Sequence, residues 1–125
     1  MEEIERIKEA LKDLKERGLI SLAYLYGSFA EGRPHHRSDI DLAIFINSKK
    51  EQEAIEIIER LSLLSERNIE ILRLDDEDES PFIIQKALKG IPLVKPEEDV
   101  LYLLYDRVLH ESESIRFRRS MHAED

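Results

Sequence analysis

The sequence predicts an α/β domain in which a small mixed sheet is flanked by helices. Three observations lead there. Apolar residues recur at helical spacing within charged segments, and short apolar runs rich in strand formers lie between them. The two kinds of segment then follow one another in the order α-β-β-α-β-α-β-α. With 125 residues and 42% hydrophobic content the chain can bury one ordinary core. No repeat, low-complexity tract or Pro/Gly/Ser linker divides it, so residues 1–125 read as a single domain.

The elements follow in order. Ile4, Ile7, Leu11 and Leu14 mark one face of a helix over 2–17, and Gly18 stops it. Leu19 to Tyr26 is a strand that ends at the turn signal Gly27-Ser28. Asp39 to Ile46 is a second strand with two acids at its entrance. Residues 49–66 have the pattern of a second amphipathic helix, and Asn68 turns the chain into a third strand, Ile69–Leu74. The acidic run Asp75-Asp76-Glu77-Asp78-Glu79 precedes Ser80-Pro81, an N-cap and first helical residue. Acids there suit the positive end of a helix, so the run reads as a solvated, capped loop. A helix over 81–89 stops at Gly90, and Ile91–Val94 is a short extended piece. Pro96-Glu97-Glu98 opens a last helix, over about 97–119, with a basic end at Arg116, Arg118 and Arg119. Leu101, Tyr102, Leu104, Tyr105 and Val108 recur along it at helical spacing, which suits packing on the core or on a partner helix in a homo- or hetero-oligomer.

Composition limits the function classes. Nineteen basic residues against 28 acidic ones give a net charge of −9, which disfavours general nucleic-acid binding. Cysteine is absent, which excludes thiol chemistry and Cys-based zinc sites and suits a reducing cytoplasm. No apolar run approaches the ~18 residues of a membrane span. The start, MEEIERIKEA, is too acidic for a signal peptide.

The informative segment is YGSFAEGRPHHRSDIDLAIFI, Tyr26 to Ile46. Alternation along a strand puts Asp39 and Asp41 on one face with Ile40 opposite. Two adjacent carboxylates repel each other, and a divalent cation between them relieves that. Such oxygen ligands suit Mg²⁺, which takes one or two carboxylates plus substrate phosphates. Two ions about 3.5–4 Å apart could clamp a phosphoryl displacement. Gly27 lets the backbone turn sharply and approach a ligand closely. If residues 28–32 open a short helix, their N–H groups face a phosphate, and the Ser28 hydroxyl adds a donor. Glu70, the one acid inside the third strand, is a candidate third carboxylate. His35-His36 read as exposed loop residues.

Gly27-Ser28, ten residues, then Asp39-Ile40-Asp41 resembles the G-S-x10-D-x-D signature of nucleotidyltransferases in the DNA polymerase β superfamily. The full stretch is similar to the minimal branch called MNT domains. NIEILRLDD is similar to that family's third strand, and ALKGIPLV to a segment near the end of its catalytic fold. The resemblance covers roughly residues 1–110. It implies a polymerase β-like nucleotidyltransferase fold and transfer of a nucleotide with release of pyrophosphate. It also implies that Asp39 and Asp41 hold both of two Mg²⁺ ions and Glu70 one of them. Gly27 and Ser28 would hold the β- and γ-phosphates, and Ser38 would brace the loop before Asp39.

Many MNT proteins are antitoxins paired with HEPN-domain ribonuclease toxins. The resemblance therefore implies transfer of AMP from ATP to a tyrosine of such a toxin. Two positions depart from the family pattern. Glu70 stands where Asp is usual. Glu31 stands where Arg often follows the alanine, and Arg33 and Arg37 are close enough in sequence to substitute. Two alternatives are a non-catalytic antitoxin that neutralises the toxin by binding it, and AMP transfer to a small molecule. The latter generally needs a second domain to hold the acceptor, and 125 residues leave little room.

Overall fold

The strand that ends at Gly27 lies between partners on both sides, and this places the turn after it. In the computed structural model, residues 2–35 and 37–123 are described, with side chains through Glu113. His36 and the side chains of Arg116, Arg118 and Arg119 lie outside the described residues. The elements are α1 (Glu2–Glu16), β1 (Ile20–Tyr26), β2 (Ile40–Ile46), α2 (Glu51–Ser62), β3 (Ile69–Arg73), α3 (Pro81–Leu88), β4 (Ile91–Pro92) and α4 (Glu98–Ala123). This is the order read from the sequence.

The sheet runs β3-β2-β1-β4. β1 is antiparallel to both β2 and β4, while β2 and β3 are parallel. Parallel neighbours need a crossover, and α2 provides it. One face of the sheet carries Ile40, Leu42, Ile44, Ala23 and Leu25, packed against Ile7, Leu11 and Leu14 of α1 and Ala54, Ile57 and Leu61 of α2. The other carries Leu22, Tyr24, Ala43 and Leu72, packed against Ile84, Ala87 and Leu88 of α3 and Leu104 and Val108 of α4. Each fully buried aliphatic side chain contributes about 1.5–3 kcal/mol. Both faces of β1 are covered, which explains why six of its seven residues are buried.

Local chemistry sets the ends. After α1, Leu19 N donates to Leu14 O and Gly18 N to Lys15 O, with Gly18 at φ +75°, a left-handed stop. α2 is shorter than the 49–66 its pattern suggests. It ends at Ser62, where Leu63 N donates to Arg60 O and Leu64 N to Leu61 O, and in the turn beyond it the Ser65 hydroxyl accepts from Arg67 N and donates to Glu3 of α1. Ser80 caps α3 by accepting from Phe82 N, with Pro81 following. The acidic run is a loop. Asp76 accepts from Asp78 N, and Arg107 of α4 donates to the carbonyls of Glu77 and Glu79. β4 is only two residues long, although Leu93 N still donates to Ala23 O. Pro92 is tolerated because the strand is at the sheet edge.

The stripe along α4 divides in two. Leu104 and Val108 are core, whereas Tyr102 and Tyr105 are exposed. No helix among the described residues is long and apolar enough to cross a membrane.

Candidate active site

The register of the sheet brings the candidate residues into one row. Tyr26 of β1 pairs with Asp41 of β2, and Asp41 pairs with Glu70 of β3. Residues paired across a sheet point to the same side, so these three share a face. It is the face covered by α3 and α4, beyond the end of their cover. Ile40 points the other way, into the core beneath α1 and α2.

Asp41 is half-buried, and its carboxyl is pushed above the usual range. Burial is the largest cause, followed by the charges of Asp39 and Glu70, while Lys86 of α3 acts in the opposite direction. Tyr26 is pushed up as well, by burial and then by the charges of Asp41, Glu70 and Glu79. The field around Asp41 is thus negative, with Lys86 as its one resolved cationic neighbour. Glu70 is exposed, and its Oε1 accepts from Asn68 Nδ2 at 2.6 Å.

The turn after β1 fits around Asp41. Gly27 has φ +73°, and a side chain there would overlap the Asp41 carboxylate. The helix suggested for 28–32 is a single turn. Glu31 N donates to Gly27 O at 3.1 Å and Arg33 N to Ser28 O at 3.0 Å. Gly32, at φ +72°, then breaks the helical path. Gly27 nevertheless stands beside Asp41, with Ser28 next in the turn.

Ser38 is buried, and its hydroxyl accepts from His35 N at 2.8 Å just before Asp39. Arg33 and Arg37 are exposed on the same loop. Sequence reasoning missed Arg67. Its guanidinium donates to His35 O at 2.8 Å and Ser38 O at 3.3 Å, lies 5.1 Å from the centre of the Phe29 ring, and pairs with Glu3 at 3.6 Å. It ties the turn and the loop together from just before β3, the end at which β2 also begins. Nothing in SERNIE signals this, because all its partners are distant in sequence.

Among the described residues, no three His, Asp or Glu side chains gather closely enough to hold a metal ion unaided. The donor set still suits a hard cation. The negative charges of Asp39 and Glu70 act on a half-buried Asp41, and Mg²⁺ completes its shell with water and substrate phosphates. Larger hollows, about 680 and 640 Å³, lie along α2 and α4. Neither includes any of these carboxylates, so chemistry rather than size locates the site.

Comparison with known proteins places this geometry. A chain of a toxin–antitoxin crystal structure with AMP-PNP superposes with a TM-score of 0.70 at 20% identity, covering 94% of this chain and 96% of that one. A chain of the MntA-HepT toxin–antitoxin structure gives 0.65 at 17%, covering 96% and 95%. A tri-AMPylated Shewanella oneidensis HEPN toxin in complex with MNT antitoxin gives 0.66 at 17%, covering 98% and 97%. At such identities the likeness speaks for the fold. No curated protein matches the chain. Residues 5–99 match the family described as Polymerase beta, Nucleotidyltransferase. That stretch contains the Gly27-Ser28 turn, the Asp39-Ile40-Asp41 strand entrance and Glu70, and the chain belongs to the polymerase beta nucleotidyltransferase family.

Proposed function

We propose that this nucleotidyltransferase moves AMP from ATP to a tyrosine hydroxyl of a partner HEPN ribonuclease toxin and so acts as its antitoxin in the cytoplasm. The observation that carries the reading is the fit of the Gly27 turn against Asp41, with Glu70 in register on the next strand. The likeness to chains from toxin–antitoxin structures, one with AMP-PNP and one with a tri-AMPylated toxin, supports the choice of nucleotide and partner.

In this reading Asp39, Asp41 and Glu70 would hold Mg²⁺, which supplies charge neutralisation on the phosphates. The turn at Gly27 and Ser28 orients the β- and γ-phosphates through N–H groups and the Ser28 hydroxyl. Ser38 and Arg67 keep the loop before Asp39 in place. Arg33 and Arg37 add positive charge at the rim. The acceptor hydroxyl attacks the α-phosphorus in line, and pyrophosphate leaves. Catalysis is then mainly positioning and electrostatics.

Intact-protein mass spectrometry tests this. The chain is incubated with a HEPN toxin encoded beside it, ATP and Mg²⁺, next to the Asp39→Ala/Asp41→Ala variant. AMP-sized mass increments on the toxin with wild type alone are expected. Unmodified toxin that is inhibited equally by both forms would instead support neutralisation by binding. The engagement of Glu70 by Asn68 favours that second reading, because it competes for a metal-facing carboxylate. Asn68→Ala should raise the transfer rate if Glu70 is a ligand, whereas a vestigial site shows no transfer with or without Asn68.

A further inference from the structure

A cleft of about 220 Å³ opens beside the Asp41 row, between the Gly27 turn and the C-terminal end of α3. Gly27 and Glu31 form one wall, and Lys86, Lys89 and Gly90 the other. The cleft is smaller than the ~300–1,000 Å³ of sites that enclose a whole drug-sized ligand. It therefore suits part of a nucleotide, and its contents say which part. Lys86 lies in the last turn of α3 and Lys89, three residues on, is its C-cap. Among the described residues, neither makes a salt bridge within 4 Å. Lys86 is also the cation whose charge reaches Asp41.

The placement of these lysines is fixed by packing. A side chain on Gly90 would collide with the Leu25 carbonyl, so the helix end sits directly on β1, two residues before Gly27. Gly90 does not have a left-handed φ, so what this position requires is the close approach.

We propose that Lys86 and Lys89 bind the β- and γ-phosphates of the incoming nucleoside triphosphate from the α3 side, opposite the Gly27-Ser28 turn. This rests on the nucleotidyl-transfer reading above and adds a triphosphate subsite to it. With both lysines present, the cleft walls carry two positive charges against the single negative charge of Glu31. The lysines are positioning residues: they hold the leaving group while the carboxylate row faces the α-phosphorus.

Calorimetric titration of the full chain with ATP and with AMP, both with Mg²⁺, tests the subsite. Three proteins are compared: wild type, Lys86→Met/Lys89→Met and Lys86→Arg/Lys89→Arg. The Met variant should lose roughly tenfold or more in ATP affinity per lysine, since each removes a charge-assisted contact. Its AMP affinity and melting temperature should stay near wild type, and the Arg variant should retain ATP binding. Equal ATP affinity in wild type and Met variant would overturn the subsite while leaving nucleotidyl transfer standing. Wild type that binds no ATP would overturn both. A parallel loss of ATP and AMP binding would also overturn the subsite, since it would show no preference for the phosphate tail. Should the Met variant not fold, acetylation of wild-type lysines decides. ATP, but not AMP, must protect Lys86 and Lys89, and unprotected lysines would refute the assignment.

Discussion

Gly27 and Asp41 occupy each other's space: the Asp41 carboxylate lies where a side chain on residue 27 would be. Gly27 opens the turn directly after β1, whose last residue, Tyr26, pairs with Asp41 of the antiparallel β2. One residue thus serves two needs, a left-handed turn and room for a carboxylate.

Gly27→Ala should therefore fail in two ways. The φ of +73° costs an L-residue about 1–2 kcal/mol, and the new methyl displaces Asp41. Thermal melting should show destabilisation of at least that size. AMP transfer, read by intact mass at a temperature where the variant is folded, should be lost. A folded variant with wild-type transfer would refute the tight fit.

Asp41→Asn should separate stability from activity. The fold holds the Asp41 carboxyl above its usual range, so folding penalises its ionised form relative to the unfolded chain. Removing that charge should raise the melting temperature in metal-free buffer while abolishing transfer. A lower melting temperature would show that burial and like charges are not what acts on this group.

Arg67→Met should lower transfer more than stability. The substitution keeps some packing on Phe29 but removes the guanidinium bonds to the His35 and Ser38 carbonyls, the former keeping its bond from Ser38 N. Loss of a charged hydrogen-bond donor costs about 1.5–3 kcal/mol when buried, and less at this partly exposed position. The kcat should fall at least about tenfold if the loop carries Asp39 out of line. Unchanged kcat with a lowered melting temperature would make Arg67 a purely structural clamp.

Glu3 gives the fold an acid-sensitive tie. Its carboxyl is held below the usual range, first by the Ser65 hydroxyl and then by the Arg67 charge. A lowered folded-state pKa contributes stability above the unfolded value, ~4.3, and this is lost as pH falls through the folded value. Glu3→Gln should lower stability at pH 7 by less than about 1 kcal/mol for so exposed a pair, read as a slightly lower melting temperature. The two curves should converge below pH 4. Parallel curves down to pH 3 would show that the tie contributes nothing.

Much of the molecule was legible beforehand because local pattern encodes it. Element order came from periodicity, and the Ser80-Pro81 cap from its own chemistry. The strand entrance at Asp39 and Asp41 and the turn at Gly27-Ser28 were readable because neighbouring residues along the chain make them. The ends were less legible where a distant residue intervenes. The turn that follows α2 is tied by Ser65 to Glu3, 62 residues earlier. The helix suggested after Gly27 is one turn because Gly32 breaks it, and Gly90 serves contact with Leu25 more than helix termination.

Periodicity, glycine placement and carboxylate spacing were enough to specify a nucleotidyltransferase-like strand–turn–strand unit. Folding decided which charges meet. Pairing of β2 with β3 set Glu70 against Asp41, and packing of α3 on β1 brought Lys86 and Lys89 to the Gly27 turn. Arg67, just before β3, met the loop before Asp39 because β2 and β3 start side by side. These contacts depend on strand order, register and close approach between elements far apart in the chain. Short-range sequence pattern carries no information on such separations.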